Sequence, residues 1–296
     1  MRIVLPIFLL FTFFIFEKTA TAKVSIKQTS QIKCKLPKNE KLVIGCTTNC
    51  GRFNRWAIKW YARKLGYKVK TVNLSSTKQT IDYTQVDGII IPGGVDIDPK
   101  WYMSAVTPEF RAYLESIKHY TKYTKTGKHR DRFEFGLLEK YFANPKARYQ
   151  PILGICRGMQ VLTASQGIPL YGDIKKELGI ENRRYTLDKI TITNSESLMA
   201  ELIRKKRFRA VELHHQGLNI AYFNKHRSSW PHLEVTSLSN SNKIAESLEF
   251  YNRPILGVQF HPEYTFGRTR RSMFKWILKR SCFNKVMKDK LTKGNK

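Results

Sequence analysis

Four short, mostly apolar runs constrain this chain more than anything else in it: Lys41–Cys46, Val86–Ile91, Pro151–Ile155 and Ile255–Phe260. Runs of this kind, apolar at successive rather than alternate positions, belong to strands buried on both faces, as in a covered parallel sheet. Helical patterns stand between them. Residues 54–65 carry Trp56, Ile58, Trp60 and Ala62 and stop at Gly66, and Tyr67–Leu74 reads as a further strand. Asp131–Phe142 places Phe133, Leu137, Leu138 and Tyr141 at helical spacing. Strands alternating with helices require crossover connections, which predicts an α/β fold with a mostly parallel central sheet flanked by helices. From about residue 189 the pattern changes. Ile190–Ile192, Ala210–Leu213 and Leu233–Leu238 follow closely with few helices between them, predicting additional antiparallel strands in the C-terminal half. The Tyr- and Lys-rich region 100–130 reads as a partly helical insertion, and Thr269–Cys282 as an amphipathic basic helix. No linker divides these parts. A single domain over residues 41–283 is expected, followed by a basic tail at 284–296.

The first residues read as targeting rather than fold. Arg2 precedes the apolar run Ile3–Phe16, and Ala20-Thr21-Ala22 offers a small-x-small cleavage site. The run is shorter than the roughly 20 residues of a spanning helix. An export signal cut after Ala22 is expected, to the periplasm or outside. Glu17 and Lys18 keep an uncleaved N-terminal anchor as the alternative. Lys and Arg total 53 against 23 Asp and Glu, a formal charge of +30. Such a field favours weak association with anionic surfaces. Basic residues concentrate at Arg204–Arg209 and from Arg268 onward, without a zinc-finger or RNA-binding signature, so no dedicated nucleic-acid binding is predicted. The five cysteines, Cys34, Cys46, Cys50, Cys156 and Cys282, leave at least one thiol free if the others pair.

One of them stands in a chemical setting. In Pro151-Ile-Leu-Gly154-Ile-Cys156-Arg157-Gly158-Met-Gln160 an apolar strand runs directly into a helical pattern, with cysteine at the junction. Glycines two residues before and two after remove the β-carbons that would clash in a tight strand-to-helix turn, the logic of a nucleophile elbow. The helix N-terminus, and the charge of Arg157, would favour thiolate over thiol. A buried structural cysteine is the plain alternative for this segment alone. Ile255–Phe260 then ends in His261-Pro262-Glu263. Residues two apart in an extended segment point the same way, so Glu263 can orient His261, which can take the thiol proton. A His-Pro surface turn with an incidental acid is the alternative there. The backbone N–H of Arg157 and the Pro92-Gly93-Gly94 turn after the third strand are candidate oxyanion donors. Asp96 and Asp98 offer too few ligands for a cation, and His214-His215 would need a third ligand to hold a metal, so no metal is predicted. Adjacent histidines on a strand point to opposite faces, so one of His214 and His215 is expected to line a pocket, with Gln216 beside it.

These segments, in this order, resemble the class I glutamine amidotransferase superfamily, which includes cysteine peptidase family C26. Within it the chain most resembles the γ-glutamyl-γ-aminobutyrate hydrolase branch. The matching stretches are Asp87–Pro99, Arg130-Asp131 with Glu134, Pro151–Gln160, Leu170-Tyr171 with Asp173-Ile174, His214-His215-Gln216, Glu246 with Glu249, and Gly257–Glu263. The resemblance implies a doubly wound, flavodoxin-like fold and a triad of Cys156, His261 and Glu263. It implies oxyanion donors from Gly94 and Arg157, a Gln160 that holds the γ-glutamyl moiety, and a small γ-glutamyl amide as substrate without a cofactor. Secreted folate γ-glutamyl hydrolases are the second reading, and an idle basic binding protein on the same scaffold the third. Ile168, Pro169 and Gly172, and Val211-Glu212 in place of Asn-Ser, depart from the family's usual residues.

Overall fold

The apolar runs pair side by side. The computed structural model describes residues 34–37, 39–75, 81–181 and 185–293. The expected export segment lies outside them. Strands β1 (Lys41–Cys46), β2 (Lys68–Asn73), β3 (Gly88–Ile91) and β4 (Ile152–Ile155) are followed by a short β5 (Leu170–Tyr171), then β6 (Thr186–Ile192) and β7 (Arg207–Glu212). A short β8 (Gly217–Leu218), β9 (Leu233–Ser239), β10 (Ile244–Phe250) and β11 (Ile255–Val258) complete the set. Among the described residues nine of these form one sheet in the order β2-β1-β3-β4-β11-β10-β9-β6-β7, and β5 pairs with β8 alone. The pairings β2-β1-β3-β4-β11 are parallel, and those beyond β11 are antiparallel. The expected α/β architecture is therefore the observed one.

The helices are α1 (Arg52–Lys64), α2 (Lys100–Met103), α3 (Pro108–Ile117), α4 (Lys125–Ala143), α5 (Arg157–Ala164), α6 (Ile174–Leu178), α7 (Leu198–Ile203), α8 (Ile220–Lys225) and α9 (Arg268–Lys293). They cover both faces, because strand side chains alternate. Ile89 and Ile91 enter one core with Leu138 and Leu162, while Ile90 enters the other with Ile58, Phe274 and Ile277. The parallel strands are thus apolar at every position. Region 100–130 contains α2, α3 and the start of α4, with Thr107 capping α3 and Thr124 capping α4.

Two expectations need correction. Strand β10 carries Glu246, Ser247 and Glu249, yet every one of its residues is buried, and its polar content hid it from a search for apolar runs. Glu249 is satisfied because it accepts from the backbone N–H of Leu198 and Met199, at 2.9 Å each, at the start of α7. The C-terminal tail is not separate either. Helix α9 continues through Lys293, and buried Asn284 donates to the carbonyl of Asp87 at 2.9 Å. Lys288 reaches the carbonyl of Val86 at 2.8 Å, so this end of α9 closes over the entry to β3.

Basic residues of the 204–209 stretch fall on β7, the edge of the sheet, where Arg207 and Arg209 are exposed. Charge at an edge strand discourages pairing with another sheet. Cysteine pairing is resolved as Cys34–Cys282 and Cys46–Cys50, leaving Cys156 as the free thiol. The first bond spans 248 residues and clasps the N-terminal segment to α9. Closing a loop that long removes much unfolded-state freedom. Cys282→Ser is therefore expected to lower the unfolding free energy by roughly 2–4 kcal/mol, read from urea denaturation. An unchanged midpoint would show the clasp to be dispensable.

Candidate active site

The site forms where parallel strands stop. Ile91 is level with Gly154 across β3 and β4, and Ile155 with Val258 across β4 and β11. Their next residues, Pro92-Gly93-Gly94, Cys156 and Gln259–His261, therefore emerge together at the carboxyl ends of the sheet. Cys156 turns directly from β4 into α5 with φ 52° and ψ −108°. This is left-handed backbone that a β-carbon disfavours, so the surroundings must hold it. The Cys156 N–H donates to Val258 O at 2.7 Å and fixes the turn on β11. A β-carbon at Gly158 would strike the carbonyl oxygen of Ile91, so only glycine lets α5 press against β3. The elbow has the geometry its sequence implies.

His261 is set by its own backbone and by its neighbour. Its N–H donates to Val211 O at 2.9 Å, and its Nδ1 lies 2.8 Å from Glu263 Oε1. Nε2 makes no hydrogen bond among the described residues, and the Cys156 thiol donates to Leu213 O at 3.9 Å. Burial would raise the Cys156 thiol, but the charge of the nearby His261 outweighs that and holds the thiol below its ordinary range. Burial likewise opposes protonation of His261, and the thiolate and Glu263 overcome it, raising the imidazole well above its usual value. Both shifts run in the direction that favours thiolate beside imidazolium. Gly93 leaves the space between them, since a β-carbon there would stand 3.0 Å from His261 Cε1 and 3.6 Å from Cys156 Cβ. These residues border an open cleft of about 810 Å³, whose wall also includes Gly94, Lys122, His214 and His215.

Comparison with known proteins gives the family. The peptidase C26 profile matches residues 69–263, most of the chain. The chain belongs to the peptidase C26 family. It is 28% identical to Enterococcus hirae protein NtpR over 203 residues, covering 65% of this chain and 73% of that protein. It is 26% identical over 208 residues to the glutamine amidotransferase-like protein YvdE of Lactococcus lactis, covering 68% and 77%. In fold it resembles the glutaminase domain of Trypanosoma brucei CTPS, solved with acivicin bound, with a TM-score of 0.56 at 15% identity over 83% of this chain and 94% of that one. Family membership places the chain among hydrolases and amidotransferases of the class I glutamine amidotransferase type.

In this C26 chain the Pro92-Gly93-Gly94 turn and the start of α5 are tied together by a buried network whose residues the sequence presents without a role. Helix α4 presents Arg130, Asp131 and Glu134. Arg130 donates to the carbonyls of Pro92 and Gly93, the latter at 2.8 Å, and its Nε meets Glu134 Oε1 at 2.8 Å. Arg157 pairs with Glu134 and Asp131. Thr47, just after β1, donates to Glu134 as well. Burial would raise Glu134, but the two guanidinium groups keep it below the ordinary carboxylate range. The Arg157 side chain therefore does not add its charge to the thiol as expected, because two carboxylates have already claimed it. Its backbone N–H remains at the first position of α5, next to the nucleophile.

Two further expectations change. Gln160 and Gln216 are both buried and absent from the cleft wall. Gln160 Nε2 donates to the carbonyl of Gln216 at 2.8 Å, and Gln216 Oε1 accepts from Ile97 N–H at 3.3 Å. These hydrogen bonds brace the loops beside the cleft. Leu213–Gln216 is a loop and not a strand, so both His214 and His215 reach the cleft wall. His215 Nε2 lies 2.7 Å from Asp96 Oδ1, and that hydrogen bond raises the imidazole over the opposing effect of burial. Asp96 thus orients a histidine and also accepts from Lys122 N–H at 2.8 Å. Val211-Glu212, a departure from the family pattern read as bordering the pocket, does adjoin it, with Glu212 Oε2 3.0 Å from His214 Nε2 of the cleft wall. The burial of Glu212 beneath His214 beside Glu246 was not visible.

The network makes a prediction. Glu134→Gln leaves two buried guanidinium groups undercompensated and is expected to cost roughly 3–5 kcal/mol of stability, read by urea denaturation. A loss below about 1 kcal/mol, the range of an exposed pair, would show that the network does not hold the site.

Proposed function

We propose that this C26 chain hydrolyses γ-glutamyl amide bonds through Cys156, His261 and Glu263, in the manner of the γ-glutamyl-γ-aminobutyrate hydrolase branch. The carrying observation is the strained Cys156 at the head of α5, its thiol lowered by an imidazole that Glu263 steadies. The thiolate attacks the γ-carbonyl carbon, and the carbonyl π electrons move to oxygen. That oxyanion faces the backbone N–H groups of Gly94 and Arg157. As the tetrahedral species collapses, the C–N bond breaks and His261 gives its proton to the departing amine. A γ-glutamyl thioester is left on Cys156. His261, now neutral, takes a proton from water, the hydroxide attacks the thioester, and glutamate leaves as the thiolate returns.

Glu263 keeps the Nδ1 proton in place, so that Nε2 is the nitrogen that exchanges protons in both steps. In this reading Lys122 and His215, both on the cleft wall, receive the α-carboxylate of the glutamyl group. No step calls for a metal or an organic cofactor. Support for a glutamyl donor comes from relatives named for glutamine amidotransferase and glutaminase chemistry. Export is part of the same proposal. Cys34–Cys282 and Cys46–Cys50 suit an oxidising compartment, where disulfides persist.

The test is release of p-nitroaniline from γ-glutamyl-p-nitroanilide, followed by its absorbance. Wild type is expected to turn it over, Cys156→Ala to lose turnover entirely, and Glu263→Gln to lower kcat by roughly 10²–10⁴-fold. Turnover that survives Cys156→Ala would remove the thiol from the mechanism.

A further inference from the structure

The wall of the cleft conceals a second cluster that the proposed amide chemistry does not use. Glu212 ends β7, Glu246 lies opposite on buried β10, and His214 follows on the adjoining loop. Their donor atoms lie within 4.8 Å of one another. Glu212 and Glu246 are 4% and 0% exposed, so water does not compensate their carboxylates. Both oxygens of Glu212 and Oε2 of Glu246 accept no hydrogen bond among the described residues.

The tautomer of His214 decides what this space needs. Its Nδ1 lies 2.8 Å from the carbonyl oxygen of Gln216, and a carbonyl only accepts, so Nδ1 carries the proton. In the neutral ring Nε2 then turns its lone pair toward Glu212 Oε2, 3.0 Å away. Lone pairs facing at that separation repel unless a proton or a metal cation stands between them. Burial raises both Glu212 and Glu246 well above the ordinary carboxylate range, so protons can fill that place, and a divalent cation displaces them on binding. A ring anchored through Nδ1–H to a backbone carbonyl, with Nε2 presented inward, is also the arrangement that metal-ligating histidines adopt.

We propose that Glu212, His214 and Glu246 bind one divalent first-row cation, zinc being suited to three protein donors with a fourth position left open. The mixed oxygen and nitrogen donor set matches zinc chemistry. Zinc–ligand distances are about 2.0–2.2 Å, which donors lying within 4.8 Å of one another reach with small side-chain shifts. The third ligand that His214-His215 lacks in sequence is supplied by folding, since Glu246 comes from 32 residues beyond His214 and meets it across the sheet. His215 is not part of the set, being engaged by Asp96. The ion joins β7 to β10 behind the wall that carries His214, a structural role beside the cleft.

The full chain, stripped with EDTA, is incubated with zinc chloride, desalted and assayed for bound metal by mass spectrometry. About one zinc per chain is expected, with a raised melting temperature. Cys156→Ser is expected to retain the zinc, while Glu212→Gln and Glu246→Gln each lose it and its thermal effect. Absence of bound zinc in wild type overturns the proposal. So does retention in both glutamine variants, or loss in Cys156→Ser, which would place the ion on the thiol. Either glutamine variant alone suffices if the other fails to fold, and the metal count is independent of whether γ-glutamyl amides are turned over.

Discussion

Glu134 is the point on which this structure turns. It sits fully buried on α4 between Arg130 and Arg157, and Thr47 donates to it from the end of β1. Through Arg130 it reaches the carbonyls of Pro92 and Gly93, and through Arg157 it reaches the first residue of the elbow helix. Three strand ends and one helix are thereby fixed around a single carboxylate. Burying two guanidinium groups is costly, and Asp131 and Glu134 offset that cost by pairing with them. The same carboxylates engage the Arg157 guanidinium on the elbow helix. Cys156 is left to be governed by His261, a group that can give up its proton during a reaction where an arginine cannot.

A strained cysteine also depends on that rigidity. A positive φ at a non-glycine residue persists only where neighbours over-determine it. Here the Val258 carbonyl holds its N–H, Gly158 lets α5 meet β3, and the salt-bridged Arg157 pins the next residue. The bareness of Gly93 has a complementary purpose. It leaves open the volume where a reacting carbonyl would approach both thiol and imidazole.

Much of this was legible in the residues themselves. Apolarity at every position of Ile89–Ile91 and Ile152–Ile155 follows from helices on both faces, so the parallel half of the sheet could be read directly. The elbow and the His261-Glu263 pair were equally readable, because glycine spacing and two-residue periodicity are local properties. What was not legible depends on partners distant in sequence. Glu249 looks like a break in a strand until the N-terminus of α7 arrives to meet it. Gln160 looks like a ligand-holding side chain until the carbonyl of Gln216, 56 residues away, takes its donor. The two histidines were assigned opposite faces on the assumption of a strand, and the loop they occupy follows other geometry. The tail was read as separate from its charge alone, although Asn284 and Lys288 bind the carbonyls at the entry to β3.

The central claim is that His261 holds Cys156 as a thiolate, and the pH dependence of alkylation measures it most directly. Iodoacetamide labelling of the folded protein, followed by peptide mass spectrometry, reports the thiolate fraction at each pH. With its thiol held below the ordinary range, Cys156 stays reactive as pH falls beneath the usual thiol value of about 8.5 and loses reactivity only on protonation at the lowered value. In His261→Ala that transition moves upward, because burial then acts unopposed. A wild-type transition at or above the ordinary thiol value, unmoved by His261→Ala, would contradict the account.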